Sequence, residues 1–195
     1  MITFNELYDN LIEFGIAKEK EINLVCSING SSVDTLNQIL YSRIGYRTWE
    51  QYVDMQHDKH VVKMVLESTQ MLCSAFEPEH NPPYKRAYFN HPCTVWARES
   101  ADNYKWLLLH AIALATEYTY RYGKVHASEK VINWCWNNYE KLIDFPEDGF
   151  TKRPLAMPEE YKTDDAVESY INYYLGEKLT NAKWTRRKRP DIFNP

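Results

Sequence analysis

The sequence predicts an all-α fold, a compact helical domain with a short helical N-terminal module. Three observations carry that expectation. Apolar residues recur at the helical period in several stretches, strand-like alternation of useful length does not appear, and proline or Asn-Gly signals separate the periodic stretches. At 195 residues, 44% of them hydrophobic, the chain can bury one good core and support a small appendage, and wholesale disorder is excluded.

Residues 1–54 read as a set of short helices and residues 55–195 as the larger domain. The first helix, Asn5 to Phe14, spaces Leu7, Leu11, Ile12 and Phe14 helically, with Gly15 placed to end it. Glu19 to Ile28 follows, closed by Asn29-Gly30, and Ser32 or Asp34 can cap a third helix containing Leu36, Ile39 and Leu40. Gly45-Tyr46-Arg47 then turns the chain into Thr48-Trp49-Glu50-Gln51. The next helix, Gln56 to Cys73, sets Val61, Val62, Val65, Leu66 and Leu72 on one broad side and His60, Lys63, Glu67 and Gln70 on the other.

Glu77 to Pro92 holds four of the nine prolines and reads as loop. A helix can begin near Thr94. From Asn103 to Arg121 a long helix places Asn103, Trp106, His110, Glu117 and Arg121 on one side, with Gly123 as its C-cap. Ser128 can cap a helix from Glu129 to Leu142, Phe145 to Pro158 is loop, and a last helix runs from Asp164 or Asp165 to Asn181, presenting Tyr170, Tyr173, Tyr174 and Glu177.

Composition narrows the function classes. No apolar run reaches the roughly 18 residues of a membrane helix, and the start lacks the basic-then-apolar order of a secretory signal, so a cytoplasmic protein with no membrane partner is expected. Four cysteines never form a CxxC pair, which argues for buried thiols rather than a zinc or redox motif. GxGxxG, GxxxxGK[ST], HExxH and GxSxG are all missing. His57, Asp58 and His60 crowd one helix start and lack a distant fourth ligand, so neither a metal nor another cofactor is expected.

The charge is uneven. Five of the 23 Lys and Arg residues lie in 183–189, leaving 18 against 27 acidic residues, or −9, for the remainder. The tail residues Arg186, Arg187, Lys188 and Arg189 are candidates for a nucleic-acid backbone, or form a solvated end.

The His60/Lys63/Glu67 and His110/Glu117/Arg121 groups, each taken alone, fit a hydrogen-bonded seam between packed helices. Together with Asn90-His91 and Lys124-His126 they predict a shared pocket suited to a nucleotide or base. In it Glu67 would stabilise a sugar cation or activate water, His60 would move a proton, and Lys63 would hold a phosphate or form a Schiff base. His91, Trp96, Arg98, His110, Glu117, Arg121, Lys124 and Tyr170 are candidate substrate-binding residues; Arg98, Arg121 and Lys124 would pair with phosphate, and Trp96, with Tyr118 and Tyr122, would offer stacking surfaces.

The block Asp58-Lys59-His60 with Glu67, then His91-Pro92, Trp96, Tyr104-Lys105-Trp106-Leu107, Glu117-Tyr118, Arg121-Tyr122-Gly123, Ala156-Met157-Pro158-Glu159-Glu160-Tyr161-Lys162 and Ser169-Tyr170 resembles small phage-encoded proteins of unassigned activity, over about residues 55 to 193. More distantly it resembles the pyrimidine-dimer DNA glycosylases of the endonuclease V type. That resemblance implies a compact helical fold, a catalytic glutamate at Glu67, a site-lining histidine at His60, and DNA or a modified nucleotide as partner in a phage-infected host cell. The chain departs from the family where Met1-Ile2 replaces the attacking N-terminal threonine and where Leu66 and Gln70 replace arginines, so a water-using N-glycosylase is expected rather than a lyase. A non-enzymatic protein that inhibits a host factor through residues 1–54 is the alternative.

Overall fold

The computed structural model describes residues 3–13, 16–44 and 53–194, with side chains from 41 to 44 excepted. Among the described residues the chain is helical with no strand, and only an isolated bridge links Ser100 to Glu147. It divides into two compact units, 1–48 and 49–195. No helix among the described residues is long and apolar enough to cross a membrane. The expected stop at Phe14-Gly15 and the turn and short segment from Gly45 to Gln51 lie outside the described residues.

In the smaller unit, α1 (Phe4–Glu13), α2 (Glu19–Asn29) and α3 (Val33–Ile44) bury Leu7, Leu11, Ile22, Cys26, Leu36, Ile39 and Leu40. A capping box opens α1. The Thr3 N–H donates to Glu6 Oε2 (2.7 Å) and the Glu6 N–H to Thr3 Oγ1 (3.3 Å), which satisfies two donors that the helix leaves over. Gly30 ends α2 at φ +86°, and of the two candidate caps for α3 it is Ser32 that accepts, from the Thr35 N–H (3.1 Å).

The larger unit is built on α6 (Ala101–Tyr122), which packs against α4 (Asp58–Ser74), α5 (Pro92–Glu99) and α7 (Glu129–Leu142). Ser100 ends α5 and caps α6, accepting from the Asn103 N–H (3.1 Å), while Gly123 closes α6 at φ +65°. Both sides of α6 are buried: Leu107, Leu108, Leu114 and Ala115 on one, and Asn103, Trp106, His110, Glu117 and Arg121 on the other. This packing turns the polar side into an internal seam.

Three elements differ from expectation. Helix α4 begins at Asp58, because His57 takes the cap position and its Nδ1 accepts from the His60 N–H (3.4 Å); Val62 and Leu66, expected in the core, are exposed. Ser128 precedes α7 but makes no cap bond, since its Oγ lies 3.0 Å from the Tyr84 hydroxyl. The last helix, α8 (Ala166–Tyr173), does not reach Asn181. It widens into a π-turn at Tyr174–Lys178, where Gly176 sits against the Tyr161 ring of the 3-10 turn Glu159–Tyr161.

Candidate functional site

Arg121 is the largest fully buried side chain among the described residues of the unit, and its position on α6 sets the chemistry around it. Its Nε donates to Glu117 Oε1 (2.6 Å) one turn back, Nη1 to Asp58 Oδ1 (3.0 Å) at the start of α4, and Nη2 to the Asp54 carbonyl (3.3 Å). A second guanidinium arrives from the C-terminal segment. Arg187 donates to both Glu117 oxygens (3.0 and 2.7 Å), pairs with Asp54 Oδ1 (2.9 Å), and lies over the Tyr120 ring. Thr185 completes the set, its N–H and hydroxyl reaching the two Asp58 oxygens at 2.9 and 2.8 Å.

The cluster obeys the rule that a buried charge must be paired and hydrogen-bonded. Burial alone would raise the Glu117 and Asp58 pKa values. The arginines reverse this for Glu117, as Thr185 and then Arg121 do for Asp58, and both carboxyls end below their ordinary range. Asp54 goes the other way, pushed up to about 6 by burial against the pull of Arg187. Glu117 is thus saturated by two arginines, which suits it to holding the tail and not to taking a proton.

Beside this cluster lies an aromatic group. The His57 and His60 rings are 4.3 Å apart, Tyr174 is 5.4 and 5.2 Å from them, Trp184 meets His57 edge-on, and Phe193 stacks on Tyr174 at 5.0 Å. The Tyr174 hydroxyl accepts from the His57 N–H (2.9 Å), and the Trp184 indole donates to the Met55 carbonyl (3.0 Å). Burial, followed by the neighbouring His57, pulls the His60 pKa down to about 4, so its imidazole is neutral at pH 7. Glu67, two turns along α4, pairs with Lys63 at 3.0 Å, and the two side chains are 29% and 65% exposed.

The remaining predicted residues are spread over the unit. His110 is sealed inside, stacked on Trp106 at 5.3 Å, with Gln56 Nε2 3.3 Å from its Nε2; burial lowers its pKa to about 4. His91 caps α5, accepting from the Cys93 N–H (3.2 Å). Trp96 is buried and donates to the Thr151 carbonyl (3.4 Å), and Tyr170 donates to the Pro154 carbonyl (3.1 Å). Arg98 lies 3.8 Å over the Phe89 ring and donates to the Phe89 carbonyl. The Lys124 carbonyl accepts from Thr119 Oγ1 (3.1 Å), next to an open depression of about 470 Å³ lined by Thr116, Thr119, Tyr120, Val125, Glu129 and Arg186.

The structure therefore joins Glu117 to Arg121 and brings His60 to His57 and Tyr174. Glu67 and Lys63 pair with each other, and His110 sits in the core. Of the tail, Arg187 is engaged as above, Arg186 donates to the Tyr120 carbonyl (2.8 Å), Arg189 bonds the Phe193 carbonyl, and Lys188 is exposed. Asp54, Thr185, Tyr174 and Trp184 are the residues that sequence reasoning missed here. Trp184-Thr185 inside a basic run was the available signal, because a tryptophan there asks for a surface to cover. Among the described residues no group of His, Cys, Asp and Glu could hold a metal ion. Comparison with family models, with curated proteins and with solved structures finds no match.

Proposed function

We propose that the larger unit is a DNA- or nucleotide-acting enzyme, an N-glycosylase for a modified or damaged pyrimidine, at work in a phage-infected cell. The observation that supports this reading is the setting of Glu67. Unlike Glu117 it is held by a single lysine on a partly open side of α4, where a substrate can reach it. Glu67 would accept a proton from water attacking the sugar carbon as the glycosidic bond breaks; the base leaves with the bonding pair. Base flipping would bring the target out of a duplex, and Lys63 would sit near its phosphate. His60, neutral at pH 7, is suited to hydrogen-bonding the substrate.

Mass spectrometry of products after incubation with modified and unmodified phage DNA, and with nucleotides, tests the reading. The parent chain is expected to release a free base, and Glu67→Gln to lose about 100-fold or more in rate with DNA binding intact. Undiminished release by Glu67→Gln would remove Glu67 from the mechanism. A second reading, inhibition of a host factor through residues 1–54, is favoured by Leu24 and Ile28, exposed one turn apart on α2. No base release, together with one stoichiometric host protein captured by the parent and lost on Leu24→Ser, would select it.

A further inference from the structure

Cys73 and Cys135 are 62 positions apart in the chain and meet in the core, Sγ to Sγ at 3.8 Å. Cys73 lies in the last turn of α4 and Cys135 midway along α7, the two helices pack on each other, and both side chains are fully buried. Aromatic rings fix the contact. Phe76, just past α4, meets the Trp134 ring at 4.8 Å, and Tyr104 stacks on Tyr139 of α7 at 5.1 Å while its hydroxyl donates to the Leu72 carbonyl (3.3 Å). A single buried thiol serves as a small apolar side chain. Two in contact can also react with each other.

A single loop covers the end of α4. The Tyr84 N–H bonds the Cys73 sulfur, the Ala87 N–H donates to Ser74 Oγ (2.9 Å), and that hydroxyl lies 2.8 Å from the Ala87 carbonyl. In the same loop Lys85, Arg86 and Tyr88 stand in solvent, so Cys73 is one layer below the surface. The two thiols are unlike. The bond from Cys135, aided by the Tyr84 N–H, holds the Cys73 pKa below the usual thiol value against burial, whereas its bond to Cys73 and then burial raise that of Cys135. Cys73 is therefore the more readily ionised sulfur and the better nucleophile of the pair.

We propose that Cys73 and Cys135 form an oxidation site, at which a small peroxide converts the thiol pair into a disulfide that staples the end of α4 to α7. The Cys73 thiolate attacks one peroxide oxygen, the O–O bond breaks, and the departing hydroxide takes up the Cys73 proton as water, leaving a sulfenic acid. Cys135 then attacks the Cys73 sulfur; the S–S bond forms, the S–O bond breaks, and hydroxide leaves with the Cys135 proton as a second water. The two thiols lose two electrons and the peroxide gains them. To bond, the sulfurs approach from 3.8 Å to about 2.05 Å, a movement that rotation about the two Cα–Cβ bonds can supply. Opening of the loop at 84–87 admits the oxidant.

Hydrogen peroxide added to the folded full chain, followed by denaturation, alkylation of the remaining thiols and peptide mass spectrometry, tests the site. The parent's four free thiols should fall to two, with the Cys73 and Cys135 peptides joined. Its thermal midpoint should rise by about 5 °C or more and return to the starting value with dithiothreitol, which reduces a disulfide and leaves oxidised methionine as it is. Cys93→Ser should show the same linkage and rise. Cys135→Ala should stop at a Cys73 sulfenic acid, captured by dimedone, without the rise. The parent experiment stands whether or not that variant folds. A parent count that does not reach two, or a linkage through Cys26 or Cys93, would overturn the site; a joined pair without the reversible rise would overturn the staple.

Discussion

At residue level, the buried histidine of α6 makes a pH-dependent contribution whose sign follows from its surroundings. Gln56 presents an amide N–H to His110 Nε2, which must therefore accept, as only a neutral imidazole can. With the folded pKa at about 4 against 6.5 unfolded, the fold binds fewer protons than the unfolded chain in this window. The contribution is fully present above pH 6.5 and is lost as pH falls toward 4, on the order of 3 kcal/mol from this group. His60 and His57 act in the same direction. Asp54 opposes them, because its raised pKa favours the fold as pH drops through about 6, but its 43% exposed side chain is screened by water and contributes less. Denaturant unfolding at pH 7 and pH 4.5 should therefore show a loss of stability in acid that shrinks by at least about half in His110→Gln; an equal loss in both proteins would refute the assignment.

At the level of the element, the π-turn after α8 depends on a missing side chain. A Cβ at Gly176 would come within 2.5 Å of the Tyr161 ring and 2.6 Å of its hydroxyl. Gly176→Ala gains up to about 1 kcal/mol from reduced chain entropy. Displacing Tyr161 from Tyr173, 5.4 Å away, costs about 1–3 kcal/mol, so the net change should be destabilising. A Tyr161→Ala background should remove the penalty in a double-mutant cycle, and additive effects would show that the ring is not the obstacle.

The same scale explains what the sequence made legible. Helices α6 and α7 were readable because their periodicity and the Gly123 stop are local signals. The end of α8 was not, since it is set by a ring fifteen residues earlier that no local pattern reveals. Pairing of Glu117 with Arg121 follows from i,i+4 spacing, whereas Asp54 and Arg187 meet across 133 positions of sequence. A run of cations after residue 182 carries the same composition whether it is solvated or docked; its partners decide, and they lie on α4, α6 and the segment before α4.

For the larger unit as a whole, the C-terminal segment is part of the core's electrostatic balance. Truncation before Lys183 would remove Arg187 and Thr185, leaving the buried Glu117 with Arg121 alone and Asp58 without its two Thr185 bonds. A loss of about 3 kcal/mol or more is expected from one broken buried pair, read as a lower midpoint in thermal or denaturant unfolding. A truncated chain as stable as the parent would mean that solvent replaces these contacts. Replacing Lys188 alone, which is exposed, serves as the control and should change stability by less than about 0.5 kcal/mol.

The reach of Thr185 to Asp58 also sets a clock on biosynthesis. The two residues are 127 positions apart, so at ordinary elongation rates Asp58 leaves the peptidyl-transferase centre roughly 6–25 s before its partner is made. Through that interval Asp58 has no Thr185 to meet, and the bonds that tie the C-terminal segment to the start of α4 can form only once residue 185 has been made.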